Sequence, residues 1–424
     1  MTYRETLAYI FGLARFGIKP GLERIRALLA ALGDPQGKIR VVSIAGTNGK
    51  GSTASFLAAI LAASGHRTGL FTSPHLISFT ERIRINGVEI SEDSVVELAE
   101  SVLAVAPPRT TFFEVVTAMA FLHFARMGVD VAVMEAGMGG ANDATNVADP
   151  LLSMITPISL DHCEYLGSTL EAIACEKVGI VRPGRPVICA SQEPEAFAVI
   201  EKACADAHCF LAVQRRDFSA LWEDAGLSYR GLHMELSGLK PGISGRYQAG
   251  NAASALAASE ILAGMGFAVT PQSCREGTAQ ASWPGRMELF PGEPRILLDG
   301  AHNPAGGRAL AASLGEVPRK RLILVAGVMC DKDAMAILEH LLPLADRVFA
   351  VAPSLERAMP AAELAGLVMG RNGKCVVAGG VAVGLRRAIA EAGVADLVLV
   401  CGSLFTVGEA RAWLLNRKYE AIRG

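Results

Sequence analysis

The segment VVSIAGTNGKGSTASFLAAILAASG, residues 41–65, runs from an apolar stretch through glycines and a lysine into an Ala- and Leu-rich stretch. An apolar run with so little polar alternation predicts a strand covered on both faces, and the Ala/Leu stretch predicts a buried helix. The glycines between them let backbone N–H groups turn inward around an oxyanion. The helix adds free N–H groups and the positive end of its dipole. In the loop 46–53, Lys50 is placed to reach the β- and γ-phosphates of a nucleotide, and Ser52 or Thr53 to face a magnesium ion. The loop departs from the strict G-x-x-x-x-G-K-[ST] pattern: Ile44 stands at the first glycine position and Gly51 where a hydroxyl belongs. An ordinary Gly-rich βα turn is the competing reading, and the strand–loop–helix context favours nucleotide binding.

The same alternation continues. Strands are expected at 68–73, 129–137, 151–158 and 186–191, with helices at 51–64, 91–106, 113–127, 169–181 and 193–207. Ser168 and Glu171 have the spacing of a capping box for the fourth of these helices. Such βαβ units imply an α/β fold with a mainly parallel sheet. Residues 209–245 are more polar and glycine-rich, which suggests a small antiparallel insertion, and helix resumes at 247–264. Pro284, Pro291 and Pro294 cluster in SWPGRMELFPGEPR, so residues 286–295 read as a linker. After it a second series alternates: strands in RILLDGA, RLILVAGV, RVFAVAP, KCVVAG and DLVLVCGS, and helices at 304–314, 333–344, 360–370, 381–392 and 404–415. The expected architecture is a P-loop domain over 1–285 and a smaller Rossmann-like α/β domain over 296–424.

Bulk properties exclude several classes. The 424 residues are 51% hydrophobic and 19% charged with a net charge of −2, so no global field recruits nucleic acid or an anionic membrane. Nine scattered cysteines without a C-x-x-C pair read as reduced thiols. The N-terminal stretch carries Glu5 in an amphipathic pattern and does not resemble a signal peptide. No run of about 18 apolar residues predicts a membrane span. A soluble cytoplasmic monomer is expected, binding neither nucleic acid nor membrane.

Acidic residues and histidines fall where strands end. Glu135 closes an apolar strand and is followed by glycines, a position suited to a metal carried by a nucleotide. Asp161 and His162 follow another apolar strand. His162 is as well explained by a structural role as by one near magnesium. Ser73, before Pro74, reads on its own chemistry as a turn residue. Lys177 reads as a solvated helix lysine, and Asp331-Lys332-Asp333 as a charge cluster at a helix start. The segment 299–304, DGAHNP, ends the first strand of the second domain, facing the first domain.

Taken together, FGIKPGLERI, GTNGKGS, TSPHL, TERIRING, MEAGMGG…DATN, LDH, EKVGI, PGRME, LLDGAHNP, DKD and VCGSLFTVGEAR run nearly end to end. In this order they resemble the folylpolyglutamate synthase/dihydrofolate synthase family of the Mur-ligase superfamily. PGLERI and TERIR point to the folate branch. The resemblance implies an ATP- and magnesium-dependent ligase that adds L-glutamate to dihydropteroate, or to the γ-carboxylate of reduced folates. It implies ATP contacts from Asn48, Gly49, Lys50, Gly51, Ser52, Asn251, Arg286 and Asp299. It makes Ser73, Glu135 and His162 magnesium ligands, with two metal sites, and Lys177 a carbamylated lysine. It also leaves room for a monovalent cation. His302 falls at the amino-acid end of the site. Thr111, Phe112, Phe113 and Glu114, and Asn142, Asp143 and Ala144, fall on the pterin side. Many bacterial members carry Arg-Leu where this chain has Ala141-Asn142.

Two rivals stay open on sequence. Another Mur-type ligase would take a different acceptor acid. An ATP-driven nucleotide switch would turn over ATP regardless of glutamate.

Overall fold

The computed structural model describes residues 1–17, 21–372 and 374–421. Ile18, Lys19 and Pro20 of the FGIKPGLERI motif lie outside the described residues.

The first sheet comprises β1 (Arg40–Ala45), β2 (Thr68–Phe71), β3 (Ile83–Ile85), β4 (Val88–Glu89), β5 (Val131–Glu135), β6 (Pro150–Ile155), β7 (Val187–Cys189) and β8 (Leu211–Val213). Their order is β4-β3-β2-β5-β1-β6-β7-β8, with every neighbouring pair parallel except β2–β3 and β3–β4. Central strands β1 and β5 are buried nearly throughout, as their unbroken apolar sequence requires. The order jumps from β2 to β5 to β1 to β6, so crossover helices cover both faces. In open sheets of this kind, ligands gather outside the carboxyl ends of the strands.

One face is covered by the helices Lys50–Ala63, Gln248–Gly264 and Pro271–Gln280, whose small residues permit close packing. A Cβ on Gly277 would stand 2.3 Å from Ile60 Cα, so the last helix lies directly on the helix that follows the phosphate loop. Phe56 on that helix is fully buried, and truncation to alanine at such a site costs about 3–5 kcal/mol. The N-terminal helices and the helices Glu92–Leu103 and Phe112–Arg126 cover the other face. The polar stretch after residue 209 forms an antiparallel sheet of β9 (Ser219–Glu223), β10 (Gly226–Arg230) and β11 (Glu235–Leu239).

The second sheet contains β12 (Glu288–Phe290), β13 (Arg295–Leu298), β14 (Leu322–Ala326), β15 (Arg347–Ala352), β16 (Cys375–Gly380) and β17 (Leu397–Cys401). Its order is β12-β13-β17-β14-β15-β16, and all but β12 are parallel.

Three local expectations are corrected. The stretch 286–295 is more than a linker: β12 pairs antiparallel with β13, because Pro291 and Pro294 sit at or beside the turn and leave 288–290 free to bond. The helix expected over 169–181 spans Leu170–Lys177 with Thr169 as N-cap, its hydroxyl accepting from the Ala172 N–H at 3.2 Å. Glu171 is then the second helical residue, one short of the N3 position that a capping box with Thr169 needs. The helix expected over 333–344 stops at Leu338, and a 3-10 turn at Leu342–Leu344 carries Pro343, which cannot donate a helical bond. The helix Pro271–Gln280, opened by a Thr270 capping box, was not foreseen.

Candidate active site

β1 ends at Ala45 and the helix begins at Lys50, with Gly49 at φ 84° in the left-handed region that closes the loop. The loop is anchored from below: the N–H groups of Thr47 and Asn48 donate to the Pro157 carbonyl at 3.0 and 3.1 Å. Asn48 Nδ2 donates to Ser159 Oγ at 2.9 Å. The first helical bond runs from Thr53 N–H to Gly49, so the N–H groups of the preceding turn have no carbonyl within the helix to bond. Lys50 Nζ bridges the Gly46 and Thr47 carbonyls at 3.1 and 3.2 Å, folded over the loop it would serve. A Cβ on Gly51 would lie 2.3 Å from Trp283, so a hydroxyl residue there would have to displace the indole.

Neighbouring strand ends bring the other groups alongside. Ile44 is in register with Glu135, the last residue of β5. Ser73, just beyond β2, donates its N–H to Glu135 Oε2 at 3.0 Å. Burial pushes the Glu135 carboxyl up to about 7, against the opposing charge of Lys50 and the Ser73 N–H. A buried carboxylate short of compensation is a seat for a cation. Beyond β6 come Asp161 and His162, the latter at φ 52°. Desolvation together with the Lys332 and Lys50 charges holds the His162 ring below the usual histidine range, leaving it neutral and able to ligate. The Glu135 carboxylate and the Ser73 hydroxyl are oxygen donors of the kind a magnesium ion takes alongside phosphate and water.

Lys177 ends its helix buried rather than solvated. Its Nζ donates to the Gly46 carbonyl at 2.8 Å. Burial, then the charge of Lys50, lowers its pKa to about 7.

The second domain closes the cleft. Asp299, at the end of β13, accepts from Tyr247 OH at 2.7 Å and from the N–H groups of Met287 and Ala301 at 3.0 and 2.9 Å. His302 Nδ1 donates to the Gly300 carbonyl at 2.8 Å, and its Nε2 faces Asp161 Oδ2 at 3.5 Å. Lys332 also pairs with Asp161 across the interface. Although burial raises it, Asp161 is held well below the carboxylate range by His302, His162 and Lys332.

A cleft of about 330 Å³ is lined by Asn48, Gly49, Lys50, Gly51, Ser52, Ser73, Glu135, His162, Lys177, Asn251, Arg286, Asp299 and His302. The pterin-side residues do not line it. Thr111 and Glu114 cap the helix Phe112–Arg126 reciprocally, and Glu114 pairs with Arg24 at 3.1 Å. Phe112 and Ala144 are buried in the core, and Phe113 packs against Gly137. Asp143 binds the N–H groups of Met138 and Thr145, and Asn142 is exposed. Sequence reasoning passed over Tyr247, Trp283 and Asn303. Only the neighbouring Pro and His-Asn-Pro motifs hinted at the last two.

Residues 44–259 match the Mur ligase middle domain, and residues 285–404 match the Mur ligase glutamate ligase domain. The dihydrofolate synthase/folylpolyglutamate synthase of Bacillus subtilis is 36% identical over 85% of this chain and 88% of its own. The folylpolyglutamate synthase of Lacticaseibacillus casei is 35% identical over 99% and 100%. This chain belongs to the folylpolyglutamate synthase/dihydrofolate synthase family. A probable bifunctional folylpolyglutamate synthase/dihydropteroate synthase of Halobacterium salinarum is 38% identical over 97% of the chain, which spans about half, 51%, of that longer protein. Among solved members of the family, E. coli FolC in complex with DHPP and ADP superposes with a TM-score of 0.90 at 32% identity, covering 98% of both chains. The Yersinia pestis bifunctional enzyme complexed with AMPPNP and a Mn ion superposes at 0.87 and 31% identity, again covering 98% of both.

Proposed function

We propose that this chain is an ATP-dependent ligase that adds L-glutamate to dihydropteroate and to the γ-carboxylate of tetrahydrofolyl-(poly)glutamate, through an acyl phosphate. The observation that carries the reading is the convergence of Lys50, Ser73, Glu135 and His162 at neighbouring strand ends, facing Asp299 and His302 of the second domain.

A carboxylate resists amine attack because its oxygen leaves poorly. Transfer of the γ-phosphoryl group of ATP to the acceptor carboxylate forms an acyl phosphate and releases ADP. The glutamate amine, in its neutral form, then attacks the acyl carbon. The tetrahedral intermediate expels phosphate and the nitrogen loses a proton, leaving an amide. Lys50 and the N–H groups of the helix start hold the phosphates and offset the negative charge of the transferring group. Magnesium, held by Glu135, Ser73 and His162, would further neutralise the triphosphate. Residues 1–285 carry ATP and the acceptor, and 296–424 present glutamate beside His302. Holding three substrates in one cleft converts their encounter into a positioned reaction.

The resemblance supports two finer assignments. Carbamylation of Lys177 needs its neutral amine, which forms an N–C bond to carbon dioxide and loses a proton. The product is an anion beside the phosphate loop, suited to a second divalent ion. A monovalent cation belongs to the same reading.

Phosphate release measured with ATP and glutamate, with and without dihydropteroate or tetrahydrofolate, tests the proposal. Release that needs both glutamate and a pteroate or folate acid is expected. Release independent of either means a nucleotide switch.

A further inference from the structure

The helix Gln248–Gly264 packs against the helix Lys50–Ala63 through small buried residues, among them Ala252, Ala255 and Ala54. At its start the same face is polar. Gln248 and Asn251 stand three residues apart, so they share one side of the helix. Gln248 is fully buried and Asn251 is 7% exposed. Asn251 lines the cleft, whereas Gln248 lies behind it.

A buried carboxamide needs partners at both of its ends. Gln248 Oε1 accepts from Asn251 Nδ2 at 2.8 Å, and Gln248 Nε2 donates to Ser52 Oγ at 3.4 Å. Because Asn251 holds the oxygen end, the NH2 end is the one turned to Ser52. Asn251 is itself fixed from the other side. A Cβ on Gly49 would stand 2.4 Å from Asn251 Oδ1, so that oxygen abuts the left-handed glycine that closes the phosphate loop. Gly49, Asn251, Gln248 and Ser52 thus form a closed circuit behind the loop, and Gln248 is the member that reaches the hydroxyl.

A hydroxyl carries one proton and two lone pairs. The donor from Gln248 takes one lone pair of Ser52 Oγ from behind, which leaves the other lone pair and the proton for the cleft, which Ser52 lines. Thr53 offers the contrast. It is the other hydroxyl that the loop could turn to a metal, but it is fully buried and does not line the cleft. Its Oγ1 has no hydrogen-bond partner among the described residues. Of the two hydroxyls, only the one that faces a ligand is held by a buried amide.

We propose that Gln248 is a positioning residue for the nucleotide: held by Asn251, it aims the Ser52 hydroxyl at the phosphates and their magnesium ion. The inference rests on the cleft being the ATP site of the proposed ligase.

Calorimetric binding of AMPPNP to the full-length enzyme, first with EDTA and then with excess magnesium, tests it together with steady-state rates. Wild type is expected to bind the analogue more tightly with magnesium. That gain is a ratio, so any loss common to both conditions cancels. Gln248→Met keeps a similar volume but loses both ends of the amide. It is expected to shrink the gain about tenfold, as Ser52→Ala does, which is the scale of one lost hydrogen bond. Its KM for ATP should rise about tenfold while those for glutamate and the acceptor stay within about twofold. In a Ser52→Ala background, Gln248→Met should shrink the gain by no more than about a further twofold, because the hydroxyl it serves is gone. An unchanged gain overturns the proposal, as do multiplicative losses in the double variant or an equal rise of all three KM values. If the methionine form lacks a cooperative thermal transition, Gln248→Asn, one methylene short of Ser52, is read by the same ratio. A wild-type chain that binds no AMPPNP overturns the nucleotide reading of the cleft. Failure of the ligase reading shows separately, as wild-type phosphate release that needs neither glutamate nor acceptor.

Discussion

Asn303 Nδ2 donates to Asn48 Oδ1 at 2.9 Å, joining the first helix of the second domain to the phosphate loop of the first. The same amide donates to Asp161 Oδ2 at 3.3 Å, and its oxygen caps the helix Pro304–Leu314 by accepting from the Gly306 N–H at 2.8 Å. Capping and domain docking thus share one side chain, and a serine can separate them. Asn303→Ser keeps a capping oxygen but loses the donor pair. Its melting temperature is expected to stay near wild type while kcat falls about tenfold. Asn303→Ala should lose the cap as well, worth about 1 kcal/mol. Thermal unfolding and steady-state rates on the two variants check this. A serine variant with full kcat would show that the interdomain bonds are dispensable.

Gly51 has no room for a side chain beside Trp283. Its missing Cβ would overlap the indole, with Cζ2 at 2.3 Å and Cε2 at 2.6 Å. Gly51→Ala should displace the indole or the helix start and raise the KM for ATP about tenfold or more. Trp283 also stacks beneath Arg84 at 5.6 Å, so its removal has a cost of its own. In Trp283→Ala, however, adding Gly51→Ala should cost far less than it does alone. Additive losses in the double mutant would remove the overlap as the cause.

The parts of the site legible in sequence are those carried by local pattern. Lys50 sits in a strand–loop–helix unit, and Glu135 and His162 follow apolar strands. Parallel-sheet geometry sends all three to one edge without further information. Ser73 before a proline and Lys177 on a helix carry no such pattern. Their place in the cleft follows from β2 lying beside β5 and from the helix Leu170–Lys177 ending against Gly46, pairings that periodicity does not encode. Asn303, Trp283 and Tyr247 act across the domain boundary, where contacts depend on how two sheets dock. Lys177 shows the same limit in its electrostatics, since a lysine at the end of a polar helix reads as solvated until the loop covering it is known.

Glu135 exchanges stability for function. Its carboxylate is 4% exposed, and the Ser73 N–H is its hydrogen-bond donor. Glu135→Gln keeps the size and the acceptor but removes a buried charge. The melting temperature is expected to hold or rise, because an undercompensated charge is removed. Turnover should fall by at least about 100-fold, and adding magnesium should not restore it. A variant that keeps a tenth of wild-type turnover, or melts several degrees lower, would contradict a metal-holding role.

The ends of the second sheet away from the cleft offer a stability test with no catalytic component. Asp396 precedes β17 and Arg321 precedes β14, so both lie at the amino ends of parallel strands. Asp396 Oδ2 accepts from Arg321 Nε at 3.0 Å and from Nη2 at 2.6 Å, and also from the Gly393 N–H at 2.7 Å. Its Oδ1 accepts from the Arg321 N–H at 3.1 Å. The Arg321 hydrogen bonds hold the Asp396 carboxyl below the usual aspartate range despite the opposing effect of burial. The folded pKa is therefore lower than the unfolded value of about 3.9. The folded state binds this proton less readily, so the group's stabilisation is complete above about pH 4 and is lost as pH falls through the folded pKa. Asp396→Asn cannot accept from the guanidinium through its nitrogen. It should melt below wild type at pH 7, with the gap narrowing toward about pH 3, while kcat and KM at 25 °C stay unchanged. Parallel melting curves with a constant gap across that range would mean that packing, rather than the charged pair, sets the contribution of Asp396.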